Sequence, residues 1–509
     1  MDAAVAAAFT SFIAESALVN IGGGGMAQIY NPASRQATVY DFFSTMPGLP
    51  NGPSHAINLD FRKILVDFGA AVQPFYIGRG SVAVPGVVAG LCHMLESAGT
   101  LPLNRVLEPA IRLAREGVLV TEAQHYVMHL LTPILTDTPG IAAVYAPNGR
   151  ITSPGETLCF PQLAGTLEQL AGQGAALFYS GEVARKILAD QQQNGGLITQ
   201  TDLAAYQVFD LAPIPVTYRG YTILLPPPSS GGGVLIAFAL KLLAGVSLAK
   251  VAHNSFEHLQ ILAEVMRLTN FARARWEEKI DSHGPAAEHV AELLTDGNVA
   301  RYQTQLAAVL AGKTAQAEPP ARRGPANTTH LSVADANGML VSITTSAGEC
   351  AGFMVDDTGI QLNNMLGEID LHRNGFHQLP PGQRLMTMMS PAIVLYQGQP
   401  VLAVGSGGSN RLRSAILQVI SNFIDFNLPL EQAVDAPRLH FEDNEVQLEG
   451  GIAPEAATKM EAAGYIVNRW PAKNMFFGGA HAVARANLNQ SHWVAAGDRR
   501  RGGSTIAVT

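Results

Sequence analysis

"RRGPANTTHLSV", residues 322–333, joins two kinds of sequence, and the reading of that join decides the fold. Upstream, "GKTAQAEPPARRGPAN" (312–327) has adjacent prolines, little apolar content and no helical or strand period, so it is expected to be exposed and mobile. Downstream, "HLSVADANGMLVSITT" (330–345) and "AIVLYQGQPVLAVGSGGSN" (392–410) each read as an apolar run, a glycine-containing turn and a second apolar run. That is the pattern of β-hairpins. A loose segment that ends in two threonines and a histidine at a strand's first residues makes the join itself a candidate chemical site.

If Asn337-Gly338 is the two-residue type I′ turn of the first hairpin, the register pairs Thr328 with Ala347. Thr328 should then lie beside Ser346 to Gly348. A threonine hydroxyl needs a base before it can attack, and no Ser-His-Asp constellation is legible nearby. An amine on the same residue would serve. Scission between Asn327 and Thr328 would free the Thr328 α-amino group, which titrates at about 7.7–8.0. The loose upstream segment and the firm downstream strand fit such a cut.

Bulk properties narrow the function class. The 509 residues, 47% hydrophobic and 15% charged, describe a globular chain with a large core. A net charge of -8 leaves no broad basic field, so nucleic acid is not an expected partner. Cys92, Cys159 and Cys350 form neither a disulfide framework nor a CxxC zinc pattern and are expected to be buried thiols, Cys350 an inert one. The apolar run near 234–243 is interrupted by Lys241 and is too short for a bilayer, and no basic region precedes the alanines of "MDAAVAAAF". No signal peptide or span is legible, so the default location is cytoplasmic, or periplasmic or secreted if the true start lies upstream. "SFEHLQILAEVMRLTNFARARW" (255–276) has helical spacing behind a serine cap, and its Met and Phe residues are read as core. In "VLAVGSGGSNRLRSAILQVI" (401–420) a strand, a glycine loop and a helix follow one another, which places the amides of Gly407, Gly408 and Ser409 near a helix N-terminus. That arrangement serves either as a tight turn or as an oxyanion site.

"TTHLSVADANGMLVSIT" resembles the start of the small subunit in the γ-glutamyltransferase family, N-terminal-nucleophile hydrolases that cleave themselves before a Thr-x-His triplet. "DAAVAAAF", "IGGGGM", "GSVAVPGVVAG", "LPLNRVLEPAIRLAREG", "LITQTDLAAYQV", "LPPPSSGGG", "GIQLNNM", "MSPAIVL" and "VGSGGSNR" agree with the family in order, over nearly the whole chain. The resemblance implies an α+β fold, a four-layer αββα sandwich built by one precursor. Residues 1–327 would form the large fragment and 328–509 the small one, intertwined in one domain. It implies Thr328 as nucleophile and Ser346 as its supporting hydroxyl. Gly408 and Ser409 would be the oxyanion donors, with Gly407 a further candidate. A small-molecule γ-glutamyl or related acyl amide would pass its acyl group to water or an amine, with no cofactor and no metal. Thr329 is the structural alternative on the opposite face.

The same comparison marks departures. Where γ-glutamyl-specific members carry an arginine for the donor's carboxylate, "YDFFSTMPG" has Phe43, and Arg62 is the other cation considered. Glu368 takes the place of the acid that meets the donor's ammonium, beside Asn364. Met365 replaces a glutamine, Thr387 and Met388 replace two serines, and Gly348 replaces an asparagine. The stretch from Ile369 to Gln383 is short for a lid. Two alternatives stay open: an acylase of other specificity, like the cephalosporin acylases, and a non-maturing binding protein of the same fold. His330 is expected to bond locally rather than act as a base.

Overall fold

The computed structural model describes residues 1–50, 58–67, 72–283, 286–313, 328–372, 374–487 and 492–508. Asn327 and nearly all of the join upstream of Thr328 lie outside them.

Two sheets carry the fold. Their strands in chain order are β1 (Gly24–Asn31), β2 (Gln36–Phe42), β3 (Phe209–Leu211), β4 (Ile214–Tyr218), β5 (Tyr221–Leu225), β6 (Thr329–Ala334), β7 (Leu340–Ser346), β8 (Ala392–Tyr396), β9 (Gln399–Gly407), β10 (Gly479–Arg485) and β11 (Trp493–Ala496). The first sheet has the order β6-β7-β1-β2-β3 and the second β11-β10-β9-β8-β5-β4. Tyr30 and Leu340 of one meet Leu224, Ile393, Ala403 and Val483 of the other, so the sheets stack face to face.

Helices cover both outer faces. The first sheet packs on α1 (Asp2–Ala14), α2 (Val87–Ala98), α3 (Leu103–Glu116) and α4 (Pro161–Gln173) through Phe9, Val88, Leu107, Leu167, Ile29 and Ile343. The second packs on α5 (Gly231–Ala244), α6 (Phe256–His283) and α7 (Arg411–Ile424) through Phe238, Leu262, Ile416, Val394 and Val404. The layers are therefore helix, sheet, sheet, helix, the αββα sandwich of the expected α+β class. This layering explains why β1 and β7 read as continuous apolar or small-residue runs: each strand is buried on both faces.

Local chemistry sets the element ends. Ser230 accepts from the Gly233 amide at 2.8 Å and so caps α5, whose side chains are buried nearly all round. "LPPPSSGGG" is thus a turn into a buried helix. Ser255 accepts from the His258 amide at 3.3 Å at the head of α6, which continues past Trp276. Among the described residues no helix is long and apolar enough to cross a membrane.

The first hairpin corrects the expected register. Thr329 faces Thr345 and Ala334 faces Leu340, so Thr328 continues the ladder opposite Ser346 rather than Ala347. The Asp335 carboxylate accepts from the amides of Asn337 and Met339, both at 2.9 Å. That interaction enlarges the turn to a three-residue loop in which Gly338, with φ +91°, alone takes the left-handed conformation. The two-residue turn with both residues at positive φ occurs in the second hairpin, at Gln397 (φ +50°) and Gly398 (φ +74°).

Candidate active site

Thr328 sits immediately before β6 and is buried, 2% exposed. Thr329 points the other way and donates to the Glu15 carboxylate at the end of α1. Ser346, opposite Thr328, accepts from the Gly348 amide at 3.0 Å, which aims its hydroxyl inward. His330 bridges the Thr344 hydroxyl (2.8 Å) and the Ser332 hydroxyl (2.9 Å), and burial pushes its pKa well down. It is a neutral local bonder, as expected.

The glycine loop closes on the same residue. β9 ends at Gly407 and α7 begins at Arg411. Gly408 (φ +121°) and Ser409 (φ +52°) turn the chain between them, and the Ser409 hydroxyl donates to Asp370 at 2.6 Å. A side chain at Gly407 would put its Cβ 2.1 Å from the Thr328 carbonyl oxygen. The loop and the strand that begins after Thr328 therefore touch backbone to backbone. Gly407→Ala is expected to push the Thr328 strand out of place and lower both maturation and turnover by about 100-fold, measured as cleaved fraction and kcat/KM. Near-normal values for both would refute the close approach.

On the other side of Thr328, Gly348 adopts φ +64°, and a Cβ there would lie 2.0 Å from Asn364 Oδ1 and 2.7 Å from Glu368 Oε1. Asn364 accepts from the Glu349 amide at 2.8 Å, which fixes it against Gly348. The glycine that departs from the family pattern is thus required by Asn364 and Glu368 behind it. Burial, then the neighbouring Glu349, pushes Glu368 well up, and burial also raises Asp370 despite its bond to Ser409. Glu368 Oε1 and Asp370 Oδ1 meet no hydrogen-bonding partner among the described residues. Two buried acids therefore flank the site, one behind Gly348 and one behind Ser409.

Other candidates have partners of their own. The Thr387 amide donates to Ser229 O at 3.0 Å and its hydroxyl accepts from the Met389 amide at 3.2 Å. Thr387 and the partly exposed Met388 are thus joined to the cap of α5, and among the described residues no hydrogen bond ties them to Thr328. Phe43 lies in an apolar cluster with Met26, Met46, Met365, Leu366 and Met389. Arg62 makes a bidentate pair with Asp137 (2.9 and 2.7 Å) and a bond to Asp60, on the surface. Arg384 reaches the Phe43 carbonyl and Tyr206, with Asp41 at 3.5 Å. Cys350 is buried, accepts from Asn20, and is pushed up to about 12 by burial, which makes it an inert thiol. Cys92 is buried as expected, whereas Cys159 is exposed.

Residues missed by sequence reasoning include Glu15, Glu349, Asp370 and Arg501. Arg501 donates toward the Thr328 carbonyl at 3.5 Å, and Gly407, Gly408 and Gly479 leave room for its side chain. "GEID" (367–370) carried a signal for Asp370, two residues past Glu368; Glu15 and Arg501 come from chain ends with no motif. A cavity of about 530 Å³ is lined by Glu15, Gln124, Met475 and Arg501 among others. Asn364, Glu368 and Ser409 are not among its lining residues.

Comparison with known proteins gives the family. The chain is 34% identical over 493 residues to the "Acylase ACY 1 proenzyme" of Pseudomonas sp. (strain V22), covering 95% of this chain and 85% of that protein. It is 30% identical to the "Glutathione hydrolase proenzyme" of Escherichia coli (strain K12), covering 91% and 81%. The crystal structure of cephalosporin acylase from Bacillus halodurans superposes with a TM-score of 0.85 at 25% identity, covering all of this chain and 91% of that one. The family model for gamma-glutamyltranspeptidase matches residues 1–508, and the chain belongs to that family.

Proposed function

We propose that this protein is a self-processing amidohydrolase and acyltransferase whose nucleophile is Thr328. The observation that supports the reading is the close approach of the Thr328 carbonyl to Gly407, at the start of the loop that leads into α7. In maturation the Thr328 hydroxyl attacks the Asn327 carbonyl carbon and the C–N bond breaks. That break frees the Thr328 amine and leaves Asn327 on the hydroxyl oxygen as an ester; water then hydrolyses the ester, which regenerates the Thr328 hydroxyl and ends the large fragment, 1–327, in a carboxylate. In turnover that amine takes the hydroxyl proton as the oxygen attacks a substrate amide. The proton leaves with the amine product and the acyl group stays on Thr328 as an ester. Water or a second amine attacks the ester, and the hydroxyl regains its proton. Gly408 and Ser409 amides receive the oxyanion in both halves, and Ser346 supports the nucleophile.

The acyl selector differs from a γ-glutamyl clamp. Phe43 is an apolar residue in an apolar cluster, and Arg62 and Arg384 are both occupied by carboxylates or carbonyls. A donor's α-carboxylate would therefore lack its bidentate partner, a loss of about 100-fold or more in discrimination. This favours the second reading, an acylase of other specificity, over strict action on γ-glutamyl donors. Parallel assays with γ-glutamyl, glutaryl and simple acyl p-nitroanilides test it. At least one non-γ-glutamyl anilide is expected to exceed the γ-glutamyl compound in kcat/KM, with the acyl adduct found by mass on the fragment that begins at Thr328. A γ-glutamyl preference above about 100-fold would overturn the selector argument.

A further inference from the structure

Arg501 is a charged group beside the proposed nucleophile that the mechanism above does not use. Its guanidinium lies 3.5 Å from the Thr328 carbonyl oxygen and 3.5 Å from Met475 O, and its Nε has no hydrogen-bonding partner among the described residues. Cβ atoms built on Gly407 and Gly408 would stand 3.5 and 3.3 Å from its terminal nitrogens, so the group fills the space behind the loop. Neighbouring arginines are differently placed: Arg438 and Arg500 are both paired with carboxylates.

We propose that Arg501 is a positioning residue for Thr328, fixing the nucleophile's carbonyl against the glycine loop and holding a positive charge beside an amine that must act unprotonated. The inference rests on the reading of Thr328 as an N-terminal nucleophile.

The charges around Thr328 show why such a cation is needed. Glu15 of α1 lies behind Thr329, Asp370 behind Ser409, and Glu368 with Glu349 behind Gly348. Any of these that ionise favour the protonated amine. His330 on the same strand and His481 of β10 are held neutral by burial, His481 down to about 4. Asp498 and Arg500 answer one another, and Arg411 near Asp370 adds a cation further out. Arg501 is pushed down to about 10, by burial first and the Arg411 charge next, so it stays cationic across the neutral range. At 3.5 Å the carbonyl contact is long for a strong hydrogen bond, whereas a charge acts through space.

The test is the pH dependence of kcat/KM in processed wild type, Arg501→Lys and Arg501→Gln, whose acid limb reports the base in the free enzyme. Removing the cation raises the amine's pKa, so the limb of Arg501→Gln is expected to move up by about one pH unit, a tenfold loss on that limb. Arg501→Lys keeps the charge but loses the planar fork, and should turn over more slowly with its limb unmoved. A merely structural role would lower the rate at every pH without moving the limb. An unmoved limb in Arg501→Gln overturns the proposal, as does a limb in Arg501→Lys that moves equally far. If Arg501→Gln is not cleaved, the neutral Arg501→Met, of similar length, takes its place: a limb raised by about one pH unit supports the proposal and an unmoved limb overturns it. Failure of wild type to mature would instead refute the reading of Thr328.

Discussion

Thr328→Ala is expected to remain one polypeptide of about 53.9 kDa and to lose amide hydrolysis by about 10⁴-fold or more. The substitution removes the one atom that both the maturation and the turnover steps require, the hydroxyl oxygen. It should do so without disturbing the fold: the residue precedes β6, its carbonyl stays in contact with Gly407, and the ladder begins at Thr329. Circular dichroism and the thermal midpoint should therefore match those of uncleaved wild type. Thr329→Ala is the control. It breaks the bond to Glu15 but spares the nucleophile, so cleavage should persist at a reduced rate. Loss of cleavage in Thr329→Ala with retention in Thr328→Ala would exchange the two assignments.

The second large effect concerns the network that holds Arg501 in place. Arg438, 2% exposed, pairs with Asp498 at 2.7 Å, and Arg500 pairs with Asp498 (3.1 Å) and Glu449 (2.5 Å). Asp498 also accepts from the amides of Ala480 in β10 and of Arg500. Two cations and two anions thus balance in the interior, and all four hold the C-terminal segment against the second sheet. Asp498→Ala leaves two buried guanidinium groups short of a partner and should cost about 3–5 kcal/mol. The chain is expected to lose soluble yield and thermal midpoint, and cleavage should fall because Arg501 is no longer placed. Burial alone would push Asp498 up, but Arg438 and Arg500 outweigh it and hold the carboxyl well below the usual range. A carboxylate with a depressed folded pKa contributes stability above its unfolded pKa and loses it as pH falls. The midpoint gap between wild type and Asp498→Asn should therefore narrow below about pH 4. A gap that is constant from pH 7 to pH 3 would show that the charge is not what stabilises.

Short-range patterns made the two hairpins and the strand–glycine–helix run near 401–420 legible in sequence, whereas the four-layer sandwich followed only from the family resemblance. A strand entered from a loose segment made Thr328 a candidate, and the resemblance added the loop at Gly408 and Ser409 as an expectation. Turn chemistry was harder, since Asn337-Gly338 has the composition of a two-residue turn and only the Asp335 side chain, bonding two amides, enlarges it. The one-residue change in register moved Thr328 opposite Ser346, the hydroxyl assigned to support it. Glu15 and Arg501 were invisible because they lie 313 positions before and 173 positions after Thr328. Only the packing of α1 and of the C-terminal segment onto β6 brings them together. Thr387 and Met388 were named from the family resemblance, and the structure adds that their segment is bonded to the Ser229–Ser230 turn.

Intact mass of purified, denatured protein, with the N-terminal residue of each species determined, tests the central claim most directly. Two species are expected, the smaller beginning with a free Thr328 amine and their masses together accounting for the whole chain plus one water. A catalytically active preparation that holds only the uncut polypeptide, with Asn327 still bonded to Thr328, would contradict it.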